Sequence, residues 1–285
     1  MYLDHFGLKE APFGITPDTD FTYAAPAHRS ALATLLLALR SGEGFVKVTG
    51  EVGTGKTLLC RTLLDTLRDE AVTAYVPNPR LTPREMLHVL AGELDLRVNR
   101  RCASRDLYVS LEAALVAFAR QQRPVVLCID EAQAMPVATL EALRLLSNIE
   151  TGKRKLLQIV MFAQPELDAT LAGASCRSMA SRITFAAELG PMGRGDFERY
   201  LRHRLAVAGW RGPDPFTFLA RRMLWWACRG VPRRANILAH KCLMLAYGEG
   251  GHRVGLRHAW YALRDSRLGG SSMPLRGHRA QGVSA

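Results

Sequence analysis

The feature that most constrains this chain is a glycine-rich loop between an apolar segment and an amphipathic helix. Residues 50–57 read Gly-Glu-Val-Gly-Thr-Gly-Lys-Thr, which completes the pattern G-x-x-x-x-G-K-[ST], and they follow the apolar run Phe45 to Thr49. Leucines at 58, 59, 63, 64 and 67 then repeat at the spacing of one helix face. Glycines let backbone N–H groups curl around phosphates, and the helix directs the positive end of its dipole at them. The loop therefore predicts a nucleotide site.

Two side chains of this loop have predicted roles of their own. We expect Lys56 to reach the β- and γ-phosphates and the Thr57 hydroxyl to hold Mg²⁺. A glycine-rich turn that matches by chance is the alternative, and the flanking strand and helix disfavour it. The residues expected to line the nucleotide are Gly50, Glu51, Val52, Gly53, Thr54, Gly55, Lys56, Thr57 and Leu58.

A second motif supplies the acidic groups that nucleotide hydrolysis needs. Residues 125–129 are Val-Val-Leu-Cys-Ile, typical of a strand buried on both faces, and Asp130 and Glu131 follow. At the end of such a strand Asp130 is placed to hold Mg²⁺, and Glu131 to orient and deprotonate the attacking water. An acidic pair after a strand often arises by chance. Together with the glycine-rich loop, however, the pair indicates an NTPase.

Composition and length bound the remaining possibilities. The chain has 285 residues and 48% hydrophobic content, enough for one large domain and a small one. Its apolar runs fall short of the roughly 18 residues that cross a bilayer, and its first residues lack the basic and apolar regions of a secretory signal. We therefore predict a cytoplasmic protein. The six cysteines have no Cys-x-x-Cys spacing, so neither a zinc site nor a disulfide framework is indicated.

The formal charge of +12 is unevenly distributed along the chain. Residues 1–150 hold 16 Lys and Arg against 18 Asp and Glu, a net charge of −2; residues 151–285 hold 22 against 8, a net charge of +14. The basic half could attract nucleic acid, an anionic membrane surface or an acidic protein. Arginines that merely keep helix faces solvated are the alternative.

Strand and helix patterns alternate over residues 28–190, which indicates a parallel α/β sheet. We expect strands at 45–49, 73–76, 125–129, 156–162 and 183–186, with helices at 27–39, after the glycine-rich loop, after Thr82, at about 104–120 and after Pro136. From residue 191 only helical patterns remain, at 197–207, 215–228, 234–247 and 256–263, which predicts a small helical domain to residue 266. Residues 267–285 are rich in Gly, Ser and Arg, and we expect a disordered tail.

Five motifs occur in order along the chain: His5 to Phe13 with Pro17-Asp18, the loop Gly50 to Thr57, Asp130-Glu131-Ala132-Gln133, Gln164-Pro165-Glu166-Leu167 and Gly230-Val231-Pro232-Arg233. Together they resemble the ExeA/GspA-type AAA+ ATPases of general secretion, and within that group the short ATPases of MSHA-type (type IV) pilus biogenesis. The resemblance covers about residues 1–265. It implies an AAA+ P-loop NTPase core, a five-stranded parallel sheet with helices on both faces, followed by an all-helical lid domain.

The resemblance also implies roles for residues outside the two phosphate motifs. Gln164 matches sensor 1, which helps to place the water, although this chain has Ala163 where the family usually has glycine. Arg182 matches the arginine finger that reaches a neighbouring subunit's site, with Arg177 as the alternative. Arg233 matches sensor 2, which couples the γ-phosphate to the angle of the lid. Residues 1–27 are implied to pack near the nucleotide, where Phe6, Pro12 and Phe13 would wrap the adenine or simply join the core.

Two hypotheses of different classes follow. The first is an ATP- and Mg²⁺-dependent assembly or remodelling factor, a homo-oligomer that meets pilus or secretion proteins at the cytoplasmic side of the inner membrane. The second is a DNA-dependent AAA+ protein such as a transposition regulator, which the basic second half favours. The chain has no helix-turn-helix or zinc-finger pattern, and its N-terminal motif favours the first hypothesis.

Overall fold

The computed structural model describes residues 2–99, 102–151 and 154–268. Five strands form a parallel sheet in the order β2-β3-β6-β1-β7, and two short strands form a separate antiparallel pair. The strands are β1 (Phe45–Gly50), β2 (Val72–Val76), β3 (Val125–Ile129), β4 (Glu150–Thr151), β5 (Arg154–Lys155), β6 (Leu157–Ala163) and β7 (Ile183–Leu189). The predicted five-stranded parallel sheet is confirmed; the β4–β5 pair was not predicted.

Helices cover both faces of the sheet and then form a separate bundle. Those of the α/β part are α2 (Pro26–Arg40), α3 (Lys56–Leu67), α4 (Pro83–Glu93), α5 (Ser104–Arg120), α6 (Val137–Leu146), α7 (Glu166–Ala172) and α8 (Arg177–Ala180). Those of the bundle are α1 (Tyr2–Phe6), α9 (Arg194–Val207), α10 (Phe218–Cys228), α11 (Pro232–Gly248) and α12 (Leu256–Leu268). The predicted tail lies, from residue 269 onward, outside the described residues.

The alternation of side chains along the central strands explains the two layers of helices. In β1, Val46 and Val48 face the cluster that contains α2 and α3, whereas Phe45 faces the cluster that contains α4 to α8. All residues of β3 and β6 are buried, as expected for strands covered on both faces. Burial on both faces requires the continuous apolar runs that the sequence shows.

The helical domain has its own core, and the N-terminal segment belongs to it. Phe6 and Phe13 are 3% and 2% exposed and pack among residues of α9 to α12. The buried Arg204 guanidinium donates to the carbonyl of Pro12 at 2.6 Å and lies over the ring of Phe21 at 4.6 Å. The two phenylalanines therefore have no free face with which to wrap an adenine.

One helix of this domain begins later than the sequence pattern suggests. The predicted start at Pro215 is wrong, because Phe216 forms a bridge with Val254 and the hydroxyl of Thr217 caps α10 by accepting from the backbone N–H of Ala220. In the part of the chain that the structure describes, no helix is both long and apolar enough to cross a bilayer.

Candidate nucleotide site

The sheet brings the two phosphate motifs together at one edge. Strand β6 lies between β1 and β3, with Thr49 paired to Ala163 and Cys128 to Val160. Because the strands are parallel, the loop after β1, the acidic pair after β3 and Gln164 after β6 all lie at their carboxyl ends. Ligands of open α/β sheets bind at this edge.

The loop needs glycine at two positions. Gly53 has φ of +84° and Gly55 has φ of +100°, conformations that other residues rarely adopt. A Cβ atom on Gly53 would lie 2.6 Å from Cβ of Arg233, and one on Gly55 would lie 2.7 Å from Nε2 of His28. The glycines thus permit both the curl of the loop and the close approach of its neighbours.

The remaining loop residues occupy distinct positions. Glu51 and Val52 lie exposed on the loop, Thr54 is buried, and Leu58 is half-buried in the first turn of α3. The Thr54 hydroxyl donates to the carbonyl of Glu51 at 2.9 Å. This bond closes the loop on itself before the helix begins.

Lys56 lies inside the loop it follows. Its side chain is buried, and Nζ donates to the carbonyls of Gly50 at 2.8 Å and Glu51 at 3.1 Å. Burial lowers the pKa of Lys56, and the nearby carboxylates of Glu131 and Asp130 counteract this by favouring its charged form. The ammonium group therefore lies between the loop and the acidic pair.

Thr57 and Asp130 join the two motifs directly. The Thr57 hydroxyl donates to Oδ2 of Asp130 at 2.6 Å, and Asp130 is only 4% exposed. Burial raises the pKa of Asp130, while hydrogen bonds from Thr57 and the N–H of Glu131 lower it. Two adjacent oxygen side chains at a phosphate loop are the donors that Mg²⁺ prefers, so these residues fit the ion.

Glu131 lies outside regular structure and is held by two amide side chains. Its backbone is left-handed, with φ of 52°. Its Oε2 accepts from Nε2 of Gln133 at 2.5 Å and from Nε2 of Gln164 at 3.1 Å. The Oε1 of Gln133 in turn accepts from the backbone N–H of Gln164 at 3.0 Å. The structure thus brings Glu131 and Gln164 together, as the resemblance implied, and adds Gln133.

The helical domain contacts the loop through Arg233. Its backbone N–H, in the first turn of α11, donates to the carbonyl of Gly53 at 3.2 Å. Its side chain is exposed. The N-terminus of a second helix therefore meets the loop, and helix N-termini favour anions.

Arg182, the first candidate finger, lies at the opposite edge of the sheet. Arg182 immediately precedes β7, whose Ile183 pairs with Phe45 at the start of β1, and its guanidinium donates to Oδ1 of Asn148. Arg177 begins α8 and is exposed. Neither arginine joins the cluster around Lys56.

Two residues at the site were given no role from the sequence. His28, on α2, approaches the loop from an element more than 20 residues earlier, and its Nε2 bonds with the carbonyl of Thr54 at 3.0 Å. Gln133 is part of the quoted Asp-Glu-Ala-Gln motif, but its contacts depend on β6. For Gln133, its position two residues after Glu131 was a sequence signal for a role at the site. For His28 the sequence held no such signal.

Comparison with known proteins agrees with this geometry. Residues 39–171 match the family model described as an AAA domain. This chain carries an AAA domain. It is also 41% identical over 255 residues to General secretion pathway protein A of Aeromonas hydrophila, which confirms the predicted resemblance to the ATPases of general secretion. The match covers 89% of this chain but 46% of that protein, so the chain spans about half the length of this curated relative.

Solved structures with the same fold are far more distant in sequence. The ORC2 protein of Aeropyrum pernix has a TM-score of 0.62 at 17% identity, over 90% of this chain and 73% of that one. Cdc6p of Pyrobaculum aerophilum has a TM-score of 0.65 at 18% identity, over 83% and 68%. The RuvB Holliday junction branch migration motor of Thermotoga maritima has a TM-score of 0.56 at 16% identity, over 84% and 68%. The AAA+ P-loop NTPase fold is therefore confirmed.

Proposed function

We propose that this protein is an ATPase that hydrolyses ATP to ADP and phosphate. The observation that supports it best is the convergence of Lys56, Thr57, Asp130 and Glu131 at one edge of the sheet, with Thr57 and Asp130 in direct contact. A phosphate loop alone binds nucleotide; a carboxylate beside it also allows turnover. This cluster contains a phosphate loop and a carboxylate beside it.

Each side chain of the cluster has a distinct task in this proposal. Lys56 binds the β- and γ-phosphates, and Thr57 and Asp130 hold Mg²⁺, which neutralises phosphate charge when bound. Glu131 takes a proton from the attacking water, and Gln164, beside it, places that water. Arg233 contacts the γ-phosphate from the lid, so that the state of the nucleotide influences the lid angle.

The first experiment measures steady-state ATP hydrolysis by the wild type, Lys56→Ala and Glu131→Gln at physiological salt. Glu131→Gln should lose about 10²-fold to 10⁴-fold in kcat, because its amide cannot accept the proton, while it still binds nucleotide. Lys56→Ala should lose nucleotide affinity itself. Full turnover by Glu131→Gln would disprove the assignment of the base, and wild-type turnover no faster than that of Lys56→Ala would disprove the ATPase.

We further propose that ATP turnover assembles or remodels a secretion or type IV pilus machine, with MSHA-type pili as the specific case. The likeness to General secretion pathway protein A supports the secretion part. The protein would act as a homo-oligomer on the cytoplasmic side of the inner membrane and bind machinery proteins there. Replacing the chromosomal gene with the Glu131→Gln variant should block secretion or surface pili; normal levels of both would rule this role out.

DNA-dependent ATP hydrolysis is the second candidate. The net charge of +14 on residues 151–285 and exposed arginines on the lid, such as Arg222 and Arg229, favour it. The same hydrolysis assay with double-stranded DNA separates the two: strong stimulation that falls steeply with salt supports this candidate. Turnover indifferent to DNA supports the secretion proposal.

A further inference from the structure

Glu131 is fixed by side chains rather than by its backbone. It follows β3 in a left-handed conformation and precedes a short 3₁₀ turn at 132–134, so no helix or strand sets the direction of its carboxylate. Both hydrogen bonds that it accepts from side chains end on one oxygen, Oε2, and come from Gln133 and Gln164. Among the residues that the structure describes, no hydrogen bond ends on its other oxygen, Oε1, which is left to face a reactant.

The amide of Gln133 is itself held in one orientation. Its Oε1 accepts from the backbone N–H of Gln164, which fixes its Nε2 toward Glu131. A flipped amide would turn its oxygen toward the carboxylate and its NH₂ toward another donor, and would lose both bonds. Gln133 therefore links the backbone of Gln164, at the end of β6, to the carboxylate of Glu131 by two hydrogen bonds.

We propose that Gln133 is a positioning residue for ATP hydrolysis. It occupies one oxygen of Glu131 and directs the other toward the attacking water, and it ties Glu131 to Gln164 so that base and water-placing amide keep their separation. This inference rests on the proposed ATPase function and deepens it. Small displacements of a reacting group can cost about 10²-fold in rate, so the effect of such a residue is measurable.

Three variants separate positioning from mere support of the loop. Gln133→Ala removes both hydrogen bonds. Gln133→Glu keeps the size of the side chain and an oxygen that can accept from the N–H of Gln164, but it cannot donate to Glu131 and repels it. Gln121→Ala is the matched control, because Gln121 is an exposed glutamine on the turn after α5.

The experiment measures steady-state ATP hydrolysis at saturating ATP and pH 7.5, nucleotide Kd by fluorescence titration with an ATP analogue, and thermal unfolding. We expect kcat to fall by about 10-fold to 100-fold in Gln133→Ala and at least as far in Gln133→Glu, with Kd unchanged within about 3-fold. Gln121→Ala should match the wild type in all three measurements.

The outcomes distinguish this proposal from the one on which it rests. Wild-type kcat in Gln133→Glu would show that Gln133 only ties the loop to β6, and would overturn the positioning role while ATPase activity stands. Equal losses in kcat and affinity would overturn it as well, since they indicate a distorted phosphate site. A wild type that hydrolyses no ATP overturns both proposals.

Discussion

His28 binds the Thr54 carbonyl of the phosphate loop as a neutral imidazole. A carbonyl can only accept, so the bond to Thr54 requires the proton on Nε2, and Nδ1 is then an unprotonated atom, buried with no partner in the described part of the chain. Burial lowers the pKa of His28, and the Thr54 carbonyl counteracts this only in part. The phosphate loop is therefore hydrogen-bonded to a histidine that is harder to protonate than a free imidazole.

This histidine should make stability depend on pH. The pKa of His28 is lower folded than unfolded, so its contribution is fully present above the unfolded value of about 6.5 and is lost as pH falls below it toward the folded pKa. His28→Gln keeps a donor for Thr54 without a titrating ring. Urea unfolding at pH 7.5 and 5.5 should show a smaller loss of unfolding free energy in the variant; parallel losses in both proteins would contradict this.

At the scale of residues, the sequence predicted those site residues that belong to a local motif. Lys56, Thr57 and Asp130 follow from the spacing of a loop and the end of a strand; the structure joins Thr57 to Asp130 by a hydrogen bond and places Lys56 within electrostatic range of Asp130. The contacts of His28 and Gln133 depend on which distant elements become neighbours. A single sequence carries no local pattern for the contact of His28, and for Gln133 it shows only the position two residues after Glu131.

At the scale of elements, the turn between α10 and α11 sets how the lid meets the loop. Arg229 and Gly230 both have positive φ, and the backbone N–H of Met192 donates to the carbonyl of Gly230 at 2.8 Å. A Cβ on Gly230 would lie 2.3 Å from the carbonyl oxygen of Met192. A side chain there would force the start of α11, and with it Arg233, to move.

Gly230→Ala should therefore destabilise the protein by about 2 kcal/mol or more, through left-handed strain and the clash with backbone. Gly248→Ala, at the end of the same helix and with no atom within 4 Å of its added Cβ, should be neutral or stabilising by up to about 1 kcal/mol. Chemical denaturation of both variants is the measurement. Equal stability of the two would show that the turn tolerates a side chain.

Some helices and strands could be predicted from their own sequences, and others could not. Thr82 and Glu85 form the capping box expected at the start of α4, because that signal is entirely local. The β4–β5 pair has only two residues in each strand and no alternation long enough to detect. The start of α10 depends on the bridge from Phe216 to Val254, which lies far along the chain.

At the scale of the whole molecule, the register of the sheet excludes Arg182 from its own nucleotide site. Ile183 pairs with Phe45, whereas the loop begins at Gly50, five strand residues or about 17 Å away. An arginine side chain is too short to cover such a distance, and the guanidinium of Arg182 is bound to Asn148. If Arg182 acts as a finger, it can therefore do so only on a neighbouring protomer, and turnover would then depend on assembly.

We therefore predict that Arg182→Ala loses about 10³-fold in kcat or more while it still binds ATP, because charge on the transferred phosphoryl group is no longer neutralised. Mixed 1:1 with Lys56→Ala, which keeps its finger, it should recover activity at about a quarter of the sites, those where an intact loop meets an intact finger. The measurement is ATP hydrolysis by each variant and by the mixture.

Arg177→Ala, mixed in the same way, is the matched comparison, since Arg177 is an exposed arginine at the start of α8, close before Arg182 in the sequence. If Arg182→Ala keeps wild-type turnover and Arg177→Ala loses it, the finger is Arg177. If neither mixture recovers activity although both variants assemble with ATP in sedimentation, neither Arg182 nor Arg177 acts across the interface. Because the finger and the base lie at opposite edges of one sheet, recovery in the mixture requires protomers to contact one another by those two edges, so the assay also reports the geometry of the oligomer.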